Sequence, residues 1–345
     1  MTSAADGGVE LPVRHLLAVL VPLALSTPFS PSTDQALQAA LTRLAKDAPG
    51  TAGISVLHIE SGASASVNGD QRFPMMSVYK LPIAIHALRR ADAGELNLDE
   101  RVTLTGVDRR PGFSPIGESI AKSGPVTMTV RDILREVVTK SDNTASDWLL
   151  RRVGGPSAVA ATLRTLNVEG IDISRYELEF AADYYGLCCV ADIKPFSLER
   201  FAEAVERTAP DVRTRAARAY ETDPRDSATP ASFTRLLGRL HQGELLAPAS
   251  TSWLLDRMRE MHSRDGRIRA GLPPGTPVAL RPGTSGLTDG IRAAHNDTGI
   301  VTLPGGRGHL AIAVFLKGTR GTESARDAAI ARIARAAYDW GMARR

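Results

Sequence analysis

The first side chains that could do chemistry are a serine and a lysine three residues apart, Ser77 and Lys80. This spacing puts both on one face of a helix, where the lysine can help to deprotonate the serine hydroxyl. The N-terminus of that helix would favour the developing negative charge. One such pair can also arise by chance, as a surface serine and a solvated lysine, so it indicates a nucleophile only together with other motifs.

A second group, Ser141, Asp142 and Asn143, follows a predicted helix that ends near Lys140. In a nucleophilic site, the Ser141 hydroxyl could pass a proton to a leaving nitrogen, and the Asn143 amide could hold a substrate amide. The same tripeptide also makes a good helix cap. Both interpretations stay open for this group taken alone.

A third group is the polar segment 175–179, in which helical periodicity is weak. A carboxylate such as Glu177, held on a loop over an acyl-enzyme, can act as general base for the water that releases the product. A solvated loop glutamate is the alternative.

The fourth group is segment 281–286, Arg-Pro-Gly-Thr-Ser-Gly, which ends a predicted strand. Its small residues would let a substrate approach the backbone, and a main-chain N–H there could join an oxyanion hole. The alternative is a plain turn rich in glycine and proline.

Hydrophobic periodicity predicts the elements that position these groups. The predicted helices cover residues 35–46, 81–93, 130–139, 145–152, 156–166, 198–208, 230–242, 248–261 and 325–340, and the predicted strands 53–59, 278–281, 291–301 and 309–316. Because strands occur at both ends with helices between, the fold class is α/β plus all-α. We expect an antiparallel sheet of about five strands built from both termini and flanked by helices, with a hairpin at Gly305 and Gly306 and an inserted helical domain over about 77–261.

Composition excludes several classes of protein. The chain has 345 residues, 43% of them hydrophobic and 23% charged, which is typical of globular proteins. Its formal charge of +4 comes from scattered arginines without interleaved aromatics, so we expect no nucleic-acid partner. The adjacent Cys188 and Cys189 cannot form a disulfide framework, and the seven histidines show no spacing typical of metal ligands.

The N-terminus is typical of a signal peptide, because Arg14 precedes the apolar run 16–25 and small residues follow. The acidic Asp6 and Glu10 argue against this, and a buried cytosolic helix is the alternative. The run is too short to span a bilayer, which takes about 20 residues. We therefore expect a leader over 1–31, a catalytic domain over 32–345, and a secreted or periplasmic protein without a stable membrane span.

In this order, Ser-x-x-Lys, Ser-Asp-Asn, a glutamate-bearing loop and a Lys-Thr-Gly-like strand resemble the motif set of class A β-lactamases over about residues 35–340. Segment 113–116 is similar to that family's aromatic gatepost, and segment 223–230 to the part that closes its Ω loop. The resemblance implies the β-lactamase fold and hydrolysis of the β-lactam amide through an acyl-enzyme, giving resistance to β-lactam antibiotics. It also implies a small-molecule β-lactam substrate, no cofactor and no metal; monomer is the default.

The resemblance also implies a role for each matching residue. Ser77 resembles the nucleophile, Lys80 and Glu177 the bases of acylation and deacylation, and Ser141 the proton shuttle. The backbone N–H groups of Ser77 and Thr284 would form the oxyanion hole. The residues that resemble substrate-binding positions are Phe113, Asn143, Arg281, Gly283, Thr284 and Ser285.

The sequence departs from the family's pattern at three places. Pro282 replaces a threonine and has neither hydroxyl nor N–H, so Thr284, Ser285 or Arg292 would have to help hold the substrate carboxylate. Ala181 replaces the asparagine that helps to hold the deacylating water.

The third departure is the enlarged Ω-loop region, 175–226, which is much longer than a compact Ω loop. We expect it to contain a helix capped by Ser197 and a second helix after Pro210, forming a lid or extra subdomain. Arg175 and Asp226 should still pair across its neck.

These departures keep two alternatives to a β-lactamase open. One is a penicillin-recognising peptidase or esterase, which would share Ser77, Lys80 and Ser141 but lack a competent deacylating base. The other is a non-catalytic β-lactam sensor with slow deacylation. The role of Glu177 separates them.

Overall fold

The computed structural model describes residues 34–187, 196–261, 266–288 and 290–344. The predicted leader and the adjacent Cys188 and Cys189 lie outside these residues. The central element is an antiparallel sheet whose strands come from both ends of the chain, as predicted. Its strands are Thr51–His58, Ser64–Val67, Val278–Leu280, Gly283–Thr284, Leu287–Thr288, Ile291–Thr302 and His309–Thr319.

The two longest strands, Ile291–Thr302 and His309–Thr319, pair along most of their length, with Asn296 opposite Phe315. The first strand pairs with the far side of His309–Thr319, and Ser64–Val67 forms that edge. Three short strands line the other side of Ile291–Thr302. The sheet is thus five strands wide, which confirms the prediction.

Both faces of the sheet are covered, which explains why its last strand is a nearly continuous apolar run. Leu310, Ile312 and Val314 face the cluster that contains the terminal helices Gln35–Lys46 and Glu323–Ala343. The alternate residues, such as Phe315, face the cluster of the helical region.

The helical region lies between the two groups of strands. Its α-helices are Lys80–Asp92, Pro115–Ser123, Val130–Thr139, Asn143–Arg152, Gly155–Thr165, Glu177–Tyr185, Leu198–Arg207, Pro210–Ala219, Pro230–His241, Pro248–Arg259 and Arg267–Ala270. Short 3-10 helices cover Met76–Tyr79 and Gly106–Asp108, and two-stranded ribbons join Phe73–Pro74 to Ser227–Ala228 and Arg101–Leu104 to Val126–Thr129. Across the described ranges, no helix combines the length and apolarity needed to cross a membrane.

Pro82 is tolerated for a simple reason. Its helix begins at Lys80, so Pro82 falls in the first turn, where the backbone N–H groups have no partner within the helix.

The enlarged Ω-loop region folds mainly as three helices. Ser197 caps Leu198–Arg207 by accepting a hydrogen bond from the N–H of Arg200, and Phe201 on that helix is buried. A further helix, Pro210–Ala219, follows Pro210 as expected. The first helix, Glu177–Tyr185, was expected to be a loop and is discussed with the site.

Arg175 and Asp226 close the neck of this region, as predicted. Nε of Arg175 lies 2.6 Å from Oδ2 of Asp226, and both side chains are buried. Oδ1 of Asp226 also accepts the N–H of Ser174 at 2.9 Å. The guanidinium lies over the rings of Phe180 and Tyr220, at 5.6 and 5.3 Å. This pair therefore fixes the segment that carries Glu177.

We predict that Arg175→Ala lowers the free energy of unfolding by about 3–5 kcal/mol, because it leaves the Asp226 carboxylate buried without its cation. Arg225→Ala is the matched control, since Arg225 contacts Asp183 and Asp223 but its side chain is 51% exposed. It should cost about 1 kcal/mol or less. Urea unfolding of both variants measures the difference, and equal losses would contradict the role of the neck.

Candidate active site

A cavity of about 500 Å³ lies where the sheet edge, the helical region and the enlarged Ω-loop region meet. It brings together most of the residues that the sequence predicted to act on a substrate: Ser77, Phe113, Ser141, Asn143, Glu177, Gly283 and Thr284. Phe113 stands at the rim and is 62% exposed. Lys80, Arg281 and Ser285 are not among the lining residues.

Ser77 lies in the 3-10 turn Met76–Tyr79, directly before the helix that begins at Lys80. Met76 has a φ of 49°, a left-handed conformation that is strained for a side chain of its size. Gly283 faces this turn, and a Cβ there would lie 2.4 Å from the carbonyl oxygen of Met75. The glycine therefore allows the strand to approach the serine turn, a contact that the sequence analysis attributed to the substrate.

Lys80, three residues after Ser77, is fully buried. Its Nζ donates hydrogen bonds to the carbonyl oxygen of Ser141 at 2.8 Å and to Oδ1 of Asn143 at 2.6 Å, and lies 3.4 Å from Oγ of Ser141. Burial lowers the pKa of Lys80 to about 8, and the positive Arg281 acts in the same direction, whereas Glu177 opposes them. A lysine with this pKa can both release and accept a proton near neutral pH.

The Ser-Asp-Asn tripeptide caps a helix, and its Ser141 and Asn143 also line the cavity. Asp142 caps the helix Asn143–Arg152 by accepting the N–H of Ala145 at 2.8 Å. Ser141 has a φ of 62°, and its side chain faces the cavity. Nδ2 of Asn143 donates to the carbonyl oxygen of Pro111 at 2.7 Å, which fixes its amide. The cap thus holds two functional side chains in place.

Arg281 is not among the residues that line the cavity and is 1% exposed. Its guanidinium donates to the carbonyl oxygens of Ser77 and Val137 at 2.8 and 2.9 Å and to Oγ of Ser141 at 2.5 Å. Burial lowers its pKa to about 10, so it remains a cation at neutral pH. Arg281 therefore contributes positive charge and orients Ser141, and its donors are already used by the protein.

The predicted role of Ser285 finds no support in its placement. Its hydroxyl is buried, donates to the carbonyl oxygen of Gly286 at 2.9 Å and accepts the N–H of Ala294 at 3.2 Å. Arg292 does line the cavity, but its guanidinium donates to the carbonyl oxygen of Ser285 and lies 3.8 Å from Glu323.

Arg267 is a cavity residue that the sequence analysis missed. Its Nη2 donates to Oγ1 of Thr284 at 2.7 Å, and its Nε lies 3.1 Å from Asp327. No spacing signals this contact, because Arg267 belongs to an arginine-rich segment and meets Thr284 only through the fold. It places a cation beside Thr284.

Glu177 begins a helix, Glu177–Tyr185, instead of lying on a loop. The loop prediction was wrong because the helix is short and its entry depends on side chains. Oε2 of Glu179 accepts the N–H of Tyr176 at 3.0 Å, and Oδ1 of Asp147 accepts the N–H of Glu177 at 2.9 Å. Asp147 lies 30 residues earlier in the chain, so sequence spacing could not reveal it.

The carboxyl group of Glu177 is buried, and burial raises its pKa. The nearby Asp147 and Asp226 also raise the pKa, whereas Lys80 and a hydrogen bond from Tyr79 lower it. The hydroxyl of Tyr79 donates to Oε2 of Glu177 at 2.5 Å. Glu177 is therefore a buried carboxyl with a raised pKa, a feature typical of groups that act as general bases.

The helix that begins at Glu177 forms one wall of the cavity through Phe180, Ala181, Tyr184 and Tyr185. The hydroxyl of Tyr184 donates to the carbonyl oxygen of Gly286 at 2.8 Å. This bond ties the enlarged Ω-loop region to the sheet edge. Ala181 and Pro282, the two departures from the family pattern, both line the cavity.

A second cluster lies outside the cavity. Glu60, His241 and His309 each place a ligand-type atom within 4.8 Å of the others. Nδ1 of His309 lies 2.6 Å from the Glu60 carboxylate, which also accepts the N–H of His309 at 2.8 Å. The sequence analysis found no metal-ligand spacing because these residues meet only through the fold.

Comparison with known proteins agrees with this geometry. A model of the Beta-lactamase enzyme family matches residues 36–340. Beta-lactamase VEB-1 from Pseudomonas aeruginosa is 27% identical over 331 residues, covering 95% of this chain and 98% of that protein. The carbapenem-hydrolyzing beta-lactamase KPC from Klebsiella oxytoca is 27% identical, covering 86% of each chain.

Solved structures give the same result. A beta-lactamase from Chitinophaga pinensis is 32% identical with a TM-score of 0.71, covering 88% of this chain and 99% of that chain. An ancestral class A beta-lactamase is 32% identical with a TM-score of 0.70 and the same coverage. The chain therefore belongs to the β-lactamase enzyme family and is a class A serine β-lactamase, a hydrolase.

Proposed function

We propose that this enzyme hydrolyses β-lactam amides through an acyl-enzyme on Ser77, with Lys80, Ser141 and Glu177 moving the protons. The observation that carries the proposal is the position of Ser77. It faces the same cavity as Ser141 and Glu177, and the amine of the buried Lys80 lies 3.4 Å from Oγ of Ser141. A nucleophile, two proton-transfer groups and a separate carboxylate are the parts that acyl transfer requires.

Acylation begins when Oγ of Ser77 attacks the β-lactam carbonyl and loses its proton. Lys80, with a pKa of about 8, is suited to accept that proton. The C–N bond then breaks, and the Ser141 hydroxyl returns a proton to the leaving nitrogen. The backbone N–H groups of Ser77 and Thr284 are the proposed oxyanion hole, and buried Arg281 stabilises negative charge nearby.

Deacylation uses water and Glu177. The carboxylate takes a proton from water, whose oxygen attacks the acyl carbonyl; the bond from that carbon to Oγ of Ser77 then breaks and Oγ regains a proton. The buried, anchored carboxylate favours this reaction over a sensor or a peptidase without a deacylating base.

Two groups of cavity residues are suited to bind the substrate, Asn143 with Phe113 and Arg267 with Thr284. The fixed amide of Asn143 is suited to the side-chain amide of a β-lactam, and Phe113 is suited to its apolar part. Arg267 and Thr284 together present a cation and a hydroxyl for the substrate carboxylate, where Pro282 offers no donor. This pair replaces Arg292 as the best candidate for that role.

Glu177→Gln is expected to trap a penicilloyl-enzyme, because it keeps the size of the side chain and removes the base for deacylation. Intact-protein mass spectrometry after mixing with benzylpenicillin should show one adduct that persists. Glu179→Gln is the matched control, since Glu179 is exposed and should leave turnover intact. Rapid turnover by the Glu177→Gln enzyme would rule out this role.

Arg267→Ala is expected to raise KM for benzylpenicillin about 10- to 100-fold, because it removes a charged hydrogen bond to the carboxylate. With the methyl ester of the same substrate, wild type and variant should have similar KM values. Arg292→Ala should change KM less, since Arg292 contacts Ser285 and Glu323, whereas Arg267 donates to Thr284, its proposed partner in carboxylate binding. An equal defect with acid and ester would contradict carboxylate binding by Arg267.

We further infer export to the periplasm or medium as a monomer, with a catalytic domain that begins near residue 32. The support is Arg14 and the apolar run 16–25 ahead of that position. Expression of the full chain in a Gram-negative host should give a periplasmic protein whose mass lacks about residues 1–31, with a monomer's mass by light scattering. A cytoplasmic protein of full mass would contradict export.

A further inference from the structure

The serine turn carries a second polar group close to the deacylating carboxylate. Tyr79 lies between Ser77 and Lys80 and is 2% exposed. Its ring stacks on Phe180 with centroids 6.2 Å apart and an interplanar angle of 6°, so the helix that carries Glu177 holds the ring from one side. The phenol is therefore buried in a fixed orientation.

The hydroxyl of Tyr79 contacts one oxygen of Glu177. It donates to Oε2 at 2.5 Å. Among the side chains of the described ranges, no other group donates a hydrogen bond to this carboxylate, and Lys80 forms no ion pair with it within 4.0 Å. Ala181, one turn along the helix, has no polar side chain to contribute.

We propose that Tyr79 is a positioning residue for deacylation: its phenol holds Oε2 of Glu177 so that Oε1 is available to the hydrolytic water. This inference rests on the role proposed for Glu177. The serine turn thus anchors the Glu177 carboxylate. The helix of Glu177 offers no such anchor, because Ala181 has no polar side chain.

The groups around Tyr79 and Glu177 keep the Tyr79 hydroxyl protonated, so that it remains a hydrogen-bond donor. Burial, together with the Glu177 charge, raises the pKa of the Tyr79 phenol well above its usual value, so the hydroxyl keeps its proton throughout the working range. The other charged groups near the pair are Lys80, Asp147, Asp226 and Arg281. The phenol favours the ionised carboxylate, against the effect of burial and of the two aspartates.

The hydroxyl does not take part in bond making. In deacylation, water gives a proton to Glu177 and its oxygen bonds to the acyl carbon, after which the ester bond to Ser77 breaks and Oγ regains a proton. Tyr79 keeps its own proton throughout. Loss of the phenol should therefore slow release of the acyl group and leave attack by Ser77 nearly unchanged.

The test is Tyr79→Phe, which keeps the ring and removes the hydroxyl. Tyr220→Phe is the matched control, because Tyr220 is also 2% exposed and its buried hydroxyl has no hydrogen-bond partner among the described residues. Stopped-flow and rapid-quench kinetics with benzylpenicillin give acylation and deacylation rates separately. Both rates are measured from about pH 4.5, near the ordinary pKa of a glutamate, to about pH 9, together with Tm.

For Tyr79→Phe we expect deacylation to fall about 10- to 100-fold, with acylation changed less than about threefold. The acidic limb of the deacylation profile should move to higher pH, because losing a hydrogen bond to the ionised carboxylate raises its pKa. Acyl-enzyme should then accumulate during turnover. Tyr220→Phe should keep both rates and the limb of the wild type.

Two results would overturn the proposal. One is unchanged deacylation and an unmoved limb in Tyr79→Phe; the other is an equal fall in both rates together with Tm, which indicates a packing role alone. Glu177→Gln, tested in parallel, distinguishes a failure of the role proposed for Tyr79 from a failure of the role proposed for Glu177. If it traps the acyl-enzyme while Tyr79→Phe behaves like wild type, only the role of Tyr79 fails; if it turns over normally, the role of Glu177 fails.

Discussion

Burial of opposite charges around one serine is the constraint on which the rest of the structure depends. Lys80 and Glu177 are both largely shielded from water, and a buried charge is costly unless neighbours hydrogen-bond it. Ser141 and Asn143 accept hydrogen bonds from Lys80, while Tyr79 donates one to Glu177. The lowered pKa of Lys80 and the raised pKa of Glu177 follow from the same burial, which brings both groups toward the range in which they can exchange protons.

The fold meets this constraint by joining three parts of the chain. The sheet contributes Gly283 and the buried cation of Arg281, which contacts the backbone of Ser77. The helical region contributes the serine turn and the capped Ser-Asp-Asn segment. The enlarged Ω-loop region contributes Glu177, and the Arg175–Asp226 pair keeps it closed at the neck. The added helix Leu198–Arg207 packs Phe201 against Tyr185, and Phe113 at the cavity remains exposed.

Patterns among neighbouring residues in the sequence were sufficient to predict much of the fold. The helix 35–46, the antiparallel pairing of the last two strands and the Ser197 cap depend on neighbouring residues, and the sequence predicted them. Arg267 at Thr284, Asp147 at the N–H of Glu177 and Tyr79 at its carboxylate are contacts between distant segments or between side chains whose direction only packing decides. The helix at Glu177 was missed for the same reason, since its entry depends on Asp147.

We propose that the acyl group forms on Ser77 and that Glu177 activates the water that releases it. The most direct measurement is rapid-quench peptide mapping of the wild-type enzyme at millisecond intervals after mixing with benzylpenicillin. We expect a penicilloyl adduct on the peptide that contains Ser77. This adduct should appear first and disappear as product forms. An adduct located at Ser141, or product formation with no adduct on Ser77 at any interval, would contradict it.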